Sequence, residues 1–153
     1  MSIEKDISQR KFRNEYQKAA VNIIYTFNWM SERQKKWFDQ YDITSQQFNI
    51  LRILRGAGGP LSTLKIRQRM LDRMSDTSRI VDRLIIKGLV QKVTCQLDKR
   101  LVDVTITDKG QLLLEQMDEK QDELDSILQN LSETELGTLN VLLDKLRGSF
   151  EQI

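Results

Sequence analysis

The chain contains no histidine, one cysteine and one proline, with only seven glycines in 153 residues. Each scarcity removes possibilities. Without histidine there is no Ser-His or Cys-His pairing to activate a nucleophile, and no ordinary His-containing zinc site. A single thiol, Cys95, cannot build a disulfide framework or a thiolate metal cluster within one chain, and it suits a reducing cytoplasm. Gly56, Gly58 and Gly59 follow a helical pattern and lack the Lys-Ser/Thr that completes a phosphate loop. No enzymatic chemistry, metal or cofactor is therefore expected. The longest apolar stretch, Ala19 to Met30, is interrupted by Asn22, Thr26 and Asn28, too polar to span a membrane. The opening Met-Ser-Ile-Glu-Lys-Asp lacks the basic and apolar regions of a secretory signal, so a cytoplasmic protein is expected.

What the chain does have is helix-forming sequence with few interruptions, and charge that is unevenly placed. Residues 1–59, 60–110 and 111–153 carry net charges of +4, +5 and −7, within an overall +2. A basic centre beside an acidic C-terminal part suggests that one region of the fold meets a polyanion.

Hydrophobic periodicity divides the chain into elements. Phe12, Tyr16, Ala20, Ile23, Phe27 and Met30 recur every three or four residues, which predicts one long helix from about Ile7 to Asp39. Ala19, Ile24 and Trp29 widen its apolar stripe beyond what one small domain needs. Thr44 and Gln47 have capping-box spacing, and Ile43 with Phe48 fits a hydrophobic staple, so a second helix starts there. It buries Phe48, Leu51 and Leu54 and stops at Gly56-Ala57-Gly58-Gly59-Pro60. Ser62 caps a short helix with Ile66 and Met70 inward. Another short helix begins near Asp72 to Ser75, buries Thr77, Ile80, Val81 and Leu84, and ends at Lys87-Gly88. The β-forming runs Leu89–Thr94 and Leu101–Ile106, joined by a polar tip, read as a hairpin. Thr107 then caps a long helix carrying Leu112, Leu113, Met117, Leu124 and Leu128. Ser132 and Glu135 open a last helix lined by Leu136, Leu139, Leu142, Leu143, Leu146 and Phe150.

The expected fold is mainly α with a small β-hairpin wing: a winged helix-turn-helix core at residues 43–106. Residues 1–42 and 107–153 are expected to form one intertwined dimerisation region. In such a core the second short helix enters the DNA major groove. With Thr77, Ile80, Val81 and Leu84 inward, Ser75, Asp76, Ser78, Arg79, Asp82 and Arg83 face outward. Arg79 is the candidate for bidentate guanine reading. Ser75 and Ser78 could reach bases or phosphates, and Ser62, Lys65, Arg73 and Arg83 suit phosphate contacts, which position a protein without specifying sequence. The plainer reading of each charge is a solvated helix face.

The run Thr77-Ser78-Arg79-Ile80-Val81-Asp82-Arg83-Leu84-Ile85-Ile86-Lys87-Gly88-Leu89-Val90, then Asp98-Lys99-Arg100, then Ile106-Thr107-Asp108-Lys109-Gly110, resembles the MarR family of bacterial regulators. The resemblance implies a homodimeric, sequence-specific regulator of a pseudo-palindromic double-stranded DNA site, a repressor released by a small effector. It also implies that Arg100 inserts into a minor groove, that Asp98 shapes the wing and that Lys99 adds charge. A wing turn held by Asp98 and Arg100 without any DNA role is the structural alternative. Two positions depart from the family pattern: Arg73-Met74, where a cap and a proline are common, and Lys65, where an acidic residue is common. By the same resemblance, Tyr25, Trp29, Trp37 and Phe48 would line a pocket for an anionic aromatic effector, with Arg52 as its partner, although aromatic residues at helical spacing commonly serve the core. Two other readings stay open at this stage. One is a winged-helix protein-interaction module that does not bind DNA. The other is a redox-responsive regulator using Cys95, which lacks a resolving cysteine and otherwise serves as a strand residue.

Overall fold

A computed structural model describes residues 1–148. The elements are α1 (Ile3–Asp6), α2 (Glu15–Asp39), α3 (Ser45–Ala57), β1 (Leu61–Ser62), α4 (Thr63–Arg69), α5 (Thr77–Ile86), β2 (Val90–Thr94), β3 (Val102–Ile106), α6 (Asp108–Asp118), α7 (Gln121–Asp125) and α8 (Glu133–Gly148), with one 3₁₀ turn at Ser126–Leu128.

The first helix is not continuous. Ser8 takes a left-handed φ of 56°, and the helix restarts after Asn14, whose side chain accepts the Gln17 N–H at 2.9 Å. Phe12 therefore lies in the connection rather than on the stripe. The short α1 is fastened to α2 by a Lys18–Glu4 ion pair at 2.6 Å, which lowers the Glu4 pKa and raises that of Lys18.

Local signals predicted the starts of α3, α4, α6 and α8 well. Thr44 and Gln47 form the full capping box of α3, and Gly58 ends it in the left-handed conformation. Ser62 caps α4 and Thr107 caps α6 by accepting the third residue's N–H. Ser132 and Glu135 form the reciprocal pair before α8. The expected long helix after Thr107 breaks at Glu119–Lys120 and continues only as the short α7 and the 3₁₀ turn. Phe150 lies outside the described residues.

The wing has a strand that was not expected. The sheet order is β1-β3-β2; Leu61 pairs with Val104, and Val90 with Ile106. One core joins the pieces: Ile50, Leu51 and Leu54 of α3, Ile66 of α4, Val81 and Leu84 of α5, and Val90 and Val104 of the wing. Trp37 and Phe38 of α2 and Leu114 and Met117 of α6 belong to the same core, so it extends past residues 43–106 at both ends. Of the seven glycines, Gly110 is the most closely packed: an added Cβ would lie 2.3 Å from the Leu89 carbonyl and 2.7 Å from Ile106 Cγ1. Beyond this core the chain leaves apolar surface open. Of the 25 residues of α2 only Trp37 and Phe38 are buried, and α8 buries none. Tyr16, Ile24, Phe27, Val141 and Leu142 are all more than half exposed in the single chain. Among the described residues no helix is long and apolar enough to cross a membrane.

Candidate nucleic-acid interface

The helix-turn-helix is built by polar contacts that aim α5. Asp72, where the sequence placed the start of this helix, lies in the turn before it; its Oδ1 accepts the Met74 N–H at 3.0 Å and its Oδ2 the Gln46 amide at 2.9 Å. Asn49 accepts the Leu71 N–H at 2.9 Å. These bonds shape the turn, and Asp76 takes the cap by accepting the Arg79 N–H at 3.2 Å. The helix thus begins at Thr77, later than the sequence suggested. Asp76 is used in holding the helix start rather than standing free as a base-reading group. Ser75 is likewise engaged, donating its hydroxyl to the Asp72 carbonyl at 2.8 Å.

The inward face of α5 is Thr77, Ile80, Val81 and Leu84, all buried. Ser78, Arg79, Asp82 and Arg83 are exposed. Asp82 is paired with Lys92 of β2 at 3.2 Å, which ties the helix to the wing and leaves the two arginines without that carboxylate. Lys65 and Arg73 are exposed, whereas the Ser62 hydroxyl accepts the Lys65 N–H and serves the α4 cap. Sequence reasoning passed over Arg67 and Arg69 of α4. Both are exposed, and Arg67 lines a cleft of about 470 Å³ with Ser75 and Ser78 at the start of α5. Their place on the outer face of the first short helix was the available signal.

At the wing tip Asp98 accepts the Arg100 N–H at 3.0 Å, its Nε at 3.1 Å and its Nη2 at 3.3 Å. The Arg100 side chain, chiefly, and then its backbone N–H hold the Asp98 carboxyl below the usual carboxylate range. Arg100 is still 91% exposed, so the contact presents the guanidinium rather than burying it. Lys99 is exposed beside it. Cys95 is half-buried, and its N–H donates to the Leu101 carbonyl at 3.0 Å.

Of the residues the resemblance implied for an effector pocket, Trp37, Phe48 and Arg52 come together. Phe48 packs on Phe38 and Trp37, with ring centroids at 5.1 and 6.1 Å, and Arg52 lies 5.6 Å over its ring. Trp37 is core. Trp29 is covered by the Arg33 guanidinium at 4.0 Å, and Tyr25 is exposed. Two clefts at the junction of α2 and α3, of about 350 and 480 Å³, share Ser31, Gln34, Thr44 and Ser45. Their linings do not include Tyr25, Trp29, Phe48 or Arg52.

Residues 41–101 match the MarR family model. The multiple antibiotic resistance protein MarR of Salmonella typhimurium is 30% identical over 127 residues, covering 81% of this chain and 88% of that protein. The chain belongs to the MarR family. The HTH-type transcriptional regulator PecS of Dickeya dadantii is also 30% identical, over 72% of this chain and 69% of its own. Among solved structures, a cysteine-to-serine mutant of Escherichia coli MarR complexed with operator DNA superposes with a TM-score of 0.79 at 26% identity. That match covers 90% of this chain and 99% of the other. These MarR-family relatives are transcriptional regulators, and this chain carries their winged helix-turn-helix in full.

Proposed function

We propose that the chain is a cytoplasmic, homodimeric regulator that binds a pseudo-palindromic duplex site, represses transcription, is released by a small anionic effector, and catalyses no reaction. The observation that carries the DNA reading is α5 itself. One face is fully buried in the core, and the opposite face presents Ser78, Arg79 and Arg83 beside a wing that holds Arg100 outward. Arg79 reads a guanine edge in the major groove through its two-pronged fork. Arg100 enters the adjacent minor groove, where negative potential is concentrated. Arg67, Arg69, Arg73, Arg83, Lys65 and Lys99 contact phosphates and set the register. Ser62, Ser75, Asp76 and Asp98 support that surface from within, as caps and turn-makers.

The dimer is supported by the open apolar faces of α2 and α8, larger than isolated surface residues account for. Two-fold pairing through those helices would set the reading helices about 34 Å apart, on half-sites one DNA turn apart. The clefts at the α2–α3 junction offer room for an effector that favours one arrangement of the dimer. Selection of bound duplexes from random sequence, followed by titration at several salt concentrations, tests the proposal. Enrichment of an inverted repeat and a steep loss of affinity with salt are expected. Recovery of unenriched sequence would overturn it.

A further inference from the structure

Thr77 is the polar exception on the inward face of α5. Among the described residues only Gln47 and Thr77 are both polar and buried, at 4% and 3% exposure. Gln47 is satisfied: its Oε1 accepts the Thr44 N–H at 3.1 Å and Lys87 Nζ at 3.2 Å. The Thr77 hydroxyl has no partner among the described residues, and a buried polar group left unpaired costs free energy. Thr77 also opens α5 and lines the cleft of about 470 Å³ shared with α4. In that first turn the backbone N–H groups of Thr77 and Ser78 find no acceptor among the described residues, as expected where a helix begins. Arg67 of α4 lines the same cleft and, among the described residues, has no carboxylate at ion-pair distance. Asp76, the one acid of the lining, has its Oδ1 committed to the Arg79 N–H at 3.2 Å.

We infer that this cleft seats one backbone phosphate of duplex DNA, and that the hydroxyl of Thr77, a residue otherwise part of the core, is one of its ligands. The phosphate oxygens take the N–H groups of Thr77 and Ser78, the Thr77 hydroxyl proton and the Arg67 guanidinium. The positive end of the α5 dipole favours the same charge. Donors dominate the cleft, which suits a phosphodiester better than a base edge with its mixed donors and acceptors. A phosphate held there fixes where α5 begins along the groove, so Arg79, two residues on, stays in register with one base pair. The inference rests on the function proposed above and adds to it a ligand that surface exposure does not reveal.

The test is equilibrium binding of the full chain to a selected duplex in which a neutral methylphosphonate replaces one backbone phosphate at a time. At one position per half-site the parent should weaken about tenfold, the scale of a lost hydrogen bond to a charged group. T77V, which keeps the shape and removes the hydroxyl, should weaken binding to the unmodified duplex by a similar factor. At that one position T77V and R67A should lose less than the parent does, and T77S, which keeps the hydroxyl, should behave as the parent. In thermal melts without DNA, T77V should melt no lower than the parent, because it removes an unpartnered buried hydroxyl. A hydroxyl with a purely structural role predicts the reverse: a lower melt and no coupling to any phosphate. A lower melt for T77V, or equal sensitivity of parent, T77V and R67A at every phosphate, would overturn the inference. So would saturable binding of inorganic phosphate to the free protein that T77V abolishes while duplex affinity stays unchanged, the signature of a free-ion site. Parent binding to the unmodified duplex is scored first: with binding present and coupling absent, the phosphate seat fails and the DNA reading stands.

Discussion

Replacing Gly110 by alanine separates two opposing effects. Gly110 lies in the first turn of α6, where helix propensity alone favours alanine by up to about 1 kcal/mol. The new Cβ would lie 2.3 Å from the Leu89 carbonyl oxygen and 2.7 Å from Ile106 Cγ1. Ile106 can adjust, but the Leu89 carbonyl is backbone and already accepts the Thr107 N–H at 3.1 Å. Thr107 in turn donates its hydroxyl to the Gly88 carbonyl at 2.6 Å and accepts the Gly110 N–H. Relief requires α6 to shift against the wing and the end of α5. Overpacking of this kind costs about 1–3 kcal/mol, and a fixed carbonyl puts it near the upper figure. The net loss is then about 2 kcal/mol, or roughly 4–8 °C in melting midpoint for a chain of this length. Thermal melts followed by circular dichroism measure it, at one protein concentration because a dimer's midpoint varies with concentration. Gly56 of α3 is the control. Nothing lies within 4 Å of its added Cβ, so G56A should melt no lower than the parent. A G110A protein as stable as the parent would refute the packing argument.

Three further outcomes follow from other contacts. Arg55 grips Asp118 at 2.6 and 3.2 Å and holds its carboxyl below the usual range. Because the folded pKa is depressed, the pair stabilises fully above the ordinary Asp pKa and its contribution is lost as pH falls through the lower folded value. With both side chains over a quarter exposed, D118N should cost only about 0.5–1 kcal/mol in neutral urea unfolding, and close to nothing in strong acid. At the wing, D98A should lower duplex affinity several-fold in a binding titration while the melting midpoint stays unchanged, since Asp98 shapes the tip and supports no core. On α2, F27D should yield monomers in sedimentation velocity; unchanged dimers would place the interface elsewhere.

Much of the fold was legible because its starts are written locally. The caps at Thr44, Ser62, Thr107 and Ser132 each need only a residue three positions on, and the buried face of α5 follows from helical spacing. The misreadings share a cause. Asn14–Gln17 had cap spacing too, but an apolar period that ran on through Phe12 concealed it. The start of α5 was read near Asp72 to Ser75, but Gln46 and Asn49, far away in the chain, bond to Asp72 and the Leu71 N–H in the turn, and Asp76 caps the helix. Leu61–Ser62 becomes a strand only because β3 comes alongside. The effector residues were hard to read for a related reason: spacing shows which residues share a helix face, but not which faces from different helices converge. Arg33 occupies the Trp29 ring, and Phe48 is drawn into the Phe38–Trp37 cluster. The wing Asp98–Arg100 pair was legible as a contact, and its geometry shows that it holds the arginine outward.

The central claim is that α5 and the wing read duplex DNA. Equilibrium binding to a selected inverted repeat, across a salt series, compares the parent with R79A and R100A. The account predicts a steep salt slope for the parent. R79A should lose about 1–3 kcal/mol of discrimination at one guanine per half-site, and R100A should weaken binding with its major-groove preferences intact. Parent binding that ignores salt and sequence, or arginine variants that bind like the parent, would contradict it.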